Sequence, residues 1–174
     1  LNNLSKSNLI DKIVVATSLD SNNDELSLHI NELGYEVFRG SESNVVDRFY
    51  KASKKYHATD IVRITADCPL IDVNIVDAVL KLYNENDVDY CSNTQPPTWP
   101  DGLDVEIFSF KALKDTISSN ITDYDKEHVT PYIRSNKKFK KLNYPCKIDL
   151  SNERWTLDER EDLEVIKKII EYFA

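Results

Sequence analysis

Short apolar runs alternate with amphipathic stretches along the whole chain. Residues 13–17 form a continuous β-branched run, which is typical of a strand buried on both faces of a parallel sheet. Helices are predicted between such runs, because apolar residues recur there at helical spacing and Asn44, Asp72 and Gly34 supply caps. The predicted strands are 13–17, 35–38, 61–65, 88–92, 103–108, 142–144 and 147–150. Four helices are predicted at 24–33, 110–119, 125–135 and 159–173. Two more are predicted to begin after Asn44 and after Asp72.

This βαβα order predicts an α/β fold of three layers, with a mostly parallel sheet between two layers of helices. Residues 1–174 show no repeat, no low-complexity tract and no linker, so we expect a single domain. We expect the strand at 61–65 to lie away from any solvent-exposed edge, because parallel sheets are covered on both faces.

Composition narrows the choice of partners. The chain carries a formal net charge of −8, from 22 basic and 30 acidic residues. Because nucleic acids and anionic membranes repel such a chain, we expect neither as a partner. No apolar run approaches the roughly 18 residues of a membrane span. Three separated cysteines, Cys68, Cys91 and Cys146, form no C-x-x-C pair, which indicates free thiols in a reducing cytoplasm.

Two aspartates follow apolar runs, where an open α/β sheet binds its ligands. Asp67 comes directly after residues 61–65, and Asp158 separates residues 155–157 from the last helix. Two carboxylates at neighbouring strand ends offer the hard oxygen donors that Mg²⁺ prefers. The simpler alternatives are a turn residue for Asp67 and a helix cap for Asp158, with Glu161 completing a capping box. Asp158 can serve both as a helix cap and as a metal ligand, because a carboxylate has two oxygens.

Asp104 and Glu106 share one face of the predicted strand 103–108, since side chains repeat every second residue. They form either a polar wall for a hydroxyl-rich ligand or a solvated edge.

His128 and Arg48 are the remaining candidates. His128 is either a donor to a carboxylate or phosphate or a structural helix residue. Arg48 follows Asp47, so a surface ion pair is its plain alternative. The sequence shows no His and Cys cluster and no G-x-S-x-G motif, so zinc chemistry and hydrolase triads lack support.

Five stretches, taken in order, resemble the sugar-acid cytidylyltransferases. They are DKIVVATS with GSESNVVDRF (11–18 and 40–49), IVRITADCPLI (61–71), PDGLDVE (100–106), EHVTPYIR (127–134) and RWTLD (154–158). The pattern is most similar to the branch of spore coat polysaccharide biosynthesis proteins. Relatives include the synthetases that make CMP-activated 3-deoxy-manno-octulosonate and CMP-sialic acid. The likeness covers nearly the whole chain.

The resemblance implies a nucleotide-diphospho-sugar transferase fold, which is Rossmann-like, here without its first strand. It implies a Mg²⁺-dependent reaction in which CTP and a sugar acid give a CMP-sugar and pyrophosphate, for surface or spore coat polysaccharide. CTP and the sugar acid are then the partners, and a homodimer is compatible with the family. By the same resemblance, the site residues are Asp67 and Asp158 for catalysis and metal, Arg48 and Thr65 for the nucleotide, and Asp104, Glu106, Glu127 and His128 for the substrate.

One family motif has no counterpart in this sequence. The family opens with a strand and an A-R-x-x-S-x-R-L-P-x-K loop, whose Arg, Lys and backbone N–H groups hold the triphosphate. The sequence contains no Met, and residues 1–8 resemble the tail of the helix that follows this loop. We therefore expect an amino-terminal segment to be absent, and the chain as given to bind CTP weakly and turn over poorly.

Two other functions stay open at this point. One is a related sugar nucleotidyltransferase or glycosyltransferase with a different base or acceptor. The other is a non-catalytic module that keeps the fold. The sequence of the missing loop would separate them, because recognition of base and phosphate begins there.

Overall fold

The computed structural model describes residues 1–173, in which strands and helices alternate. The strands in these residues are β1 Val14–Ser18, β2 Glu36–Gly40, β3 Asp60–Arg63, β4 Tyr90–Ser92, β5 Glu106–Ser109 and β6 Lys141–Asn143. The α-helices are α1 Asp24–Glu32, α2 Val45–Lys55, α3 Val73–Asn84, α4 Phe110–Ile117, α5 Asp123–His128, α6 Pro131–Ser135 and α7 Arg160–Phe173.

The predicted helix caps are confirmed. Asn44 Oδ1 accepts the N–H of Asp47 at 3.0 Å at the start of α2. Asp72 Oδ1 accepts the N–H of Asn74 at 2.8 Å at the start of α3. Gly34 follows α1 with φ +83°, the left-handed conformation that glycine adopts without steric cost. Local sequence therefore determines where these helices begin and end.

Two predicted elements are wrong. Residues 147–150 form no strand, because the N–H groups of Cys146 and Leu150 both go to Thr98, at its hydroxyl and its carbonyl, and build no ladder. Residues 125–135 form two helices rather than one. Val129, with φ +70°, ends α5, and Pro131 begins α6, where its missing N–H costs nothing.

The strands form two separate sheets instead of the one we expected. β1 and β2 pair in parallel, from Val14 opposite Glu36 to Ser18 opposite Gly40. The other sheet has the order β3-β5-β4-β6, so β3 is an edge strand where we expected an interior one. Ile61 in β3 is nevertheless buried. Apolar runs report burial and do not specify the partner strand, which explains the difference; the α/β class itself is confirmed.

The chain divides into two compact units. Unit 1 comprises Leu1–Leu9, Val62–Ile107 and the chain from Leu142 onward, and unit 2 comprises Ile10–Ile61 and Phe108–Lys141. The single domain expected from the sequence stays a prediction.

The core of unit 1 contains the apolar stripe of α3, as the spacing predicted. All five residues of the stripe are buried: Ile75, Val76, Val79, Leu80 and Tyr83. Tyr90 of β4, Ile107 of β5 and Val105, which directly precedes β5, are also buried in this unit. Sheet and helix therefore give the site residues of unit 1 a rigid support.

The core of unit 2 is formed by its helices. Val46 of α2, Leu113 of α4 and Ile133 of α6 are fully buried. The rings of Tyr50 and Phe110 stack with their centroids 5.5 Å apart. Within residues 1–173, no helix is both long enough and apolar enough to cross a membrane.

Candidate active site

Asp67 lies in the turn that follows β3 in unit 1. The N–H of Cys68 donates to the carbonyl of Thr65 at 3.4 Å and closes this turn. The Asp67 side chain is half-buried, and its hydrogen-bond donor among the described residues is the Cys68 thiol, 3.5 Å from Oδ1. A thiol is a weak donor, so the carboxylate keeps its capacity to bind a ligand. Asp67 is therefore a turn residue in its backbone conformation, and this role leaves its carboxylate available to bind a ligand.

Thr65 and Cys68 pair beside Asp67, with Thr65 Oγ1 3.3 Å from Cys68 Sγ. Burial raises the pKa of the Cys68 thiol to about 12. The thiol therefore stays protonated at neutral pH and is no nucleophile.

A segment that leads into α7 connects Asp67 with Asp158. The N–H of Asp101 donates to the carbonyl of Glu153 at 3.0 Å, and the N–H of Trp155 returns to the carbonyl of Asp101 at 2.7 Å. The N–H of Leu157 then donates to the carbonyl of Asp67 at 2.8 Å. Asp158 is the next residue, so backbone hydrogen bonding brings the two aspartates to the same end of β3.

Gly102 permits this close approach. Its φ is +103°, and a Cβ at this position would lie 2.7 Å from the carbonyl carbon of Trp155 and 2.8 Å from its oxygen. A side chain would therefore push away the segment that carries Asp158.

Asp158 is exposed, and one of its carboxylate oxygens is engaged. Oδ2 accepts the hydroxyl of Thr156 at 2.7 Å and Nη2 of Arg154 at 2.8 Å. The hydrogen bond from Thr156, followed by that from Arg154, lowers the pKa of Asp158. Asp158 is thus ionised at neutral pH, and its Oδ1 accepts no hydrogen bond from any residue in 1–173.

The carboxylate that bonds to backbone N–H groups at the start of α7 belongs to Asp162. Its Oδ2 accepts the N–H of Asp158 at 2.9 Å and that of Glu159 at 2.7 Å. The capping box predicted from Asp158 and Glu161 is therefore wrong. The reason is register: α7 begins at Arg160, which puts Asp162 at the third helical position, where a side chain bonds back to the preceding N–H groups.

Asp104 lies close to other carboxylates at this end of unit 1. Burial raises its pKa to about 6, and the charges of Asp101, Glu106 and Asp67 add to the rise, while Arg63 opposes it. We call Asp67, Asp101 and Asp104 the acidic cluster. Because like charges within the cluster repel one another, a cation bound beside them would relieve this repulsion.

Glu106 is placed differently from the sequence expectation. It is 4% exposed, so the alternative of a solvated edge is wrong for this residue. Its Oε2 lies 2.5 Å from Arg63 Nη1, and its Oε1 accepts the hydroxyl of Tyr90 at 2.7 Å. Both oxygens are engaged inside unit 1, and substrate binding by Glu106 stays a prediction.

Arg48 belongs to unit 2 and is half-buried on α2. Its Nη1 donates to the carbonyl of Ser41 at 3.1 Å, and its buried Nε has no hydrogen-bond partner. Burial lowers the pKa of Arg48, and Glu42 opposes the shift. The ion pair with Asp47 is not formed, because Asp47 Oδ2 binds Lys51 Nζ at 2.7 Å. A half-buried guanidinium with unused donors favours an anionic ligand.

Glu127 and His128 also belong to unit 2. Both are exposed in the last turn of α5. The ring of His128 contacts the ring of Tyr124, with centroids 4.3 Å apart. Their substrate role stays a prediction.

The donor set at Asp67 and Asp158 fits Mg²⁺. Each carboxylate has an oxygen that no strong donor engages, and Mg²⁺ is typically held by one or two carboxylates, with the remaining positions filled by water and phosphate. Residues 1–173 gather no group of three or more His, Cys, Asp or Glu side chains suited to a metal ion. With two protein carboxylates, a Mg²⁺ ion would take its remaining oxygen ligands from water or a phosphate.

Several residues that shape this end of unit 1 were missed by sequence reasoning: Arg63, Tyr90, Gly102, Arg154 and Asp162. Arg63 did carry a signal, because a charged residue interrupts the apolar run 61–65. Gly102 carried another, as a lone glycine between two aspartate-containing segments.

Comparison with known proteins identifies the class and then the family. Residues 1–171 match the family described as cytidylyltransferase. The chain is 31% identical, over 163 residues, to the spore coat polysaccharide biosynthesis protein SpsF of Bacillus subtilis, covering 91% of this chain and 67% of that protein. It is 36% identical, over 176 residues, to an uncharacterised protein of Methanocaldococcus jannaschii, covering 99% of this chain and 71% of that protein.

Solved structures of similar proteins indicate the same family and fold. A cytidylyltransferase from Leptospira borgpetersenii superposes with a TM-score of 0.94 at 36% identity, over 99% of this chain and 74% of that one. A CMP:2-keto-3-deoxy-manno-octonic acid synthetase solved with CTP superposes with a TM-score of 0.74 at 10% identity, over 99% and 86%, which shows a shared fold. The class is that of nucleotidyltransferases with a Rossmann-like fold. Within it, the chain belongs to the cytidylyltransferase family, as the motifs predicted.

Proposed function

We propose that this protein transfers the cytidylyl group of CTP to a sugar acid, giving a CMP-sugar and pyrophosphate. The observation that carries the proposal is the hydrogen bond from Leu157 N–H to the Asp67 carbonyl, which joins the backbone beside Asp158 to that of Asp67. Family membership supports CTP as the nucleotide, and the likeness to SpsF supports a role in surface or spore coat polysaccharide.

We propose that Asp67 and Asp158 hold one Mg²⁺ together with phosphate oxygens of CTP. When bound, Mg²⁺ supplies positive charge that offsets the charge developing on the α-phosphate. The Thr156 and Arg154 hydrogen bonds orient the Asp158 carboxylate and keep it ionised. In the reaction, a sugar hydroxyl oxygen bonds to the α-phosphorus, the bond from this phosphorus to the oxygen that bridges to the β-phosphorus breaks and releases pyrophosphate, and the hydroxyl proton passes to solvent.

The other site residues have roles in the same proposal. Thr65 in unit 1 serves the nucleotide. The same role for Arg48 in unit 2 stays a prediction, and the unpartnered Nε of Arg48 supports an anionic ligand at that side chain. Asp104 in unit 1 serves the hydroxyl groups of the sugar, and the same role for Glu127 and His128 in unit 2 stays a prediction. Free thiols at Cys68, Cys91 and Cys146 support a reducing cytoplasm as the location. A homodimer stays a prediction.

Activity of aspartate variants tests the proposal. Pyrophosphate release by the full-length protein is measured with CTP, Mg²⁺ and either 2-keto-3-deoxy-manno-octonic acid or N-acetylneuraminic acid. We expect Asp67→Asn and Asp158→Asn each to lower the rate about 100-fold or more, the loss typical of removing one electrostatic contact to the transition state. The matched control is Asp72→Asn, which makes the same chemical change at the cap of α3, where Asn caps equally well.

Circular dichroism and thermal unfolding verify that the variants are folded. Full activity of folded Asp158→Asn would make this carboxylate a structural partner of Arg154 alone. A panel of CTP, UTP, GTP and ATP tests the base, and turnover with UTP but not CTP would show the related nucleotidyltransferase instead.

A further inference from the structure

Arg63 is held from one side by a buried carboxylate. Glu106 is 4% exposed, and its Oε2 lies 2.5 Å from Nη1 of Arg63. Tyr90 donates to the other oxygen of Glu106 at 2.7 Å and is itself 2% exposed. The three side chains form a chain of hydrogen bonds in the core of unit 1, which determines the orientation of the guanidinium.

The rest of the Arg63 guanidinium is available. Nε and Nη2 donate to no residue in 1–173, and neither is among the buried nitrogens that lack a partner, so solvent reaches both. The Arg63 side chain is 19% exposed, compared with 6% for that of Glu106. One edge of the guanidinium is therefore anchored, and the other is presented to whatever occupies this end of β3.

The charges around Arg63 indicate what it faces. Arg63 forms no ion pair with Asp104, but its positive charge lowers the pKa of Asp104, whereas the negative charge of Asp67 raises it. Arg154, the other arginine of this region, is already bound to Asp158 and Asp162. Arg63 is thus a cation with unused donors beside the acidic cluster, which by itself repels anionic reactants.

We propose that Arg63 binds an anionic oxygen of a reactant, a phosphate of CTP or the carboxylate of the sugar acid, and that Glu106 is the positioning residue that orients it. This inference rests on the proposed function and deepens it. A guanidinium presents planar, paired donors that match carboxylate and phosphate oxygens, which an ammonium group does not. Anchoring by Glu106 means that little side-chain entropy is lost when the anion binds.

The test uses variants that avoid an unpaired buried charge. Arg63→Lys keeps a cation for Glu106 and removes the paired donors. The double variant Arg63→Gln/Glu106→Gln removes both charges together, because the loss of one partner alone from a buried pair is strongly destabilising. Arg160→Gln is the matched control, since Arg160 is exposed at the start of α7 and loses the same charge.

Isothermal titration of the full-length protein and its variants measures the Kd of two ligands, CTP with Mg²⁺ and 2-keto-3-deoxy-manno-octonic acid, with cytidine as the uncharged comparison. We expect Arg63→Lys and the double variant to weaken binding of one of the two ligands about tenfold or more, as for loss of a hydrogen bond to a charged group. Cytidine binding and the Arg160→Gln control should change less than about twofold.

The two titrations distinguish the possible ligands of Arg63. Weakening of CTP alone assigns Arg63 to a phosphate, and weakening of the sugar acid alone assigns it to the carboxylate. If folded Arg63→Lys and the double variant bind both ligands as the wild type does, the inference is overturned and the proposed function stands. If the wild type binds neither ligand, the proposed function fails and the inference fails with it.

Discussion

Individual carboxylates in unit 1 differ because their surroundings differ. Asp158 is exposed and receives hydrogen bonds from Thr156 and Arg154, which lower its pKa. Asp104 is half-buried among like charges, and its pKa rises to about 6. The same side-chain chemistry thus yields one carboxylate that is ionised at neutral pH and one whose pKa is raised to about 6.

Asp104 should therefore cost stability at neutral pH. Its pKa is raised from 3.8 to about 6, so the folded state binds the proton more tightly than the unfolded state between these values. The free energy of unfolding consequently falls as pH rises from about 4 to about 6. We expect Asp104→Asn to raise the free energy of unfolding at pH 7 by on the order of 1 kcal/mol, after allowance for solvent screening.

Urea unfolding at pH 3.5 to 7.5, with a chelator present, measures this effect. The difference between variant and wild type should vanish below about pH 4 and reach a plateau above about pH 6. Asp149→Asn is the control, because Ser151 hydrogen bonds lower the pKa of this exposed carboxylate, so its replacement should not raise the free energy of unfolding at any pH. A constant difference at every pH would show that the Asn side chain acts through packing.

At the scale of elements, the site depends on contact between two irregular segments. Residues 101 and 153–155 pair through their backbones, and Gly102 provides the space. Neither segment is part of a regular sheet; Asp101 and Arg154 form an isolated β-bridge. Close packing of backbones therefore replaces the support that a ladder would give.

Gly102→Ala tests this contact. Positive φ costs an Ala about 1–2 kcal/mol, and the clash with Trp155 adds about 1–3 kcal/mol. Gly34→Ala is the matched control, since Gly34 also has positive φ, +83°, but nothing lies within 4 Å of the position that an added Cβ would occupy.

We expect Gly102→Ala to lower the free energy of unfolding by roughly 3 kcal/mol and Gly34→Ala by roughly 1 kcal/mol. Chemical denaturation measures both. Gly102→Ala should also lower pyrophosphate release, because the Asp158 segment is displaced. Equal losses of stability in the two variants would show that backbone strain alone matters at Gly102.

At the scale of the whole molecule, ligand binding and folding are linked. A net charge of −8, with the acidic cluster in one region, means that a bound divalent cation relieves repulsion present only in the folded state. Binding to the folded state alone at 100 times Kd stabilises a protein by about 2.7 kcal/mol.

We therefore expect Mg²⁺ at saturating concentration to raise Tm by about 5 to 10 °C in the wild type. Asp67→Asn should lose most of this shift, whereas Asp72→Asn should keep it. Differential scanning calorimetry with Mg²⁺ and with EDTA gives the comparison. An equal shift in Asp67→Asn would place the responsible cation elsewhere.

The sequence by itself determined the features that depend on near neighbours. Asn44 and Asp72 cap their helices within three residues, and the stripe of α3 follows from helical spacing alone. The family was also readable, because its motifs are short and contiguous. Asp67 and Asp158 could be named as candidates for the same reason.

Tertiary structure decided what depends on residues far apart in the chain. Periodicity does not reveal that β3 pairs at an edge, that Glu106 is enclosed by Arg63 and Tyr90, or that Asp162 replaces Asp158 at the start of α7. Packing determines which partner lies within hydrogen-bonding distance of a backbone group. A charged side chain can likewise be buried only where packing supplies a partner for it. Short-range rules specify the elements, whereas long-range packing specifies their neighbours and hence the chemistry of each carboxylate.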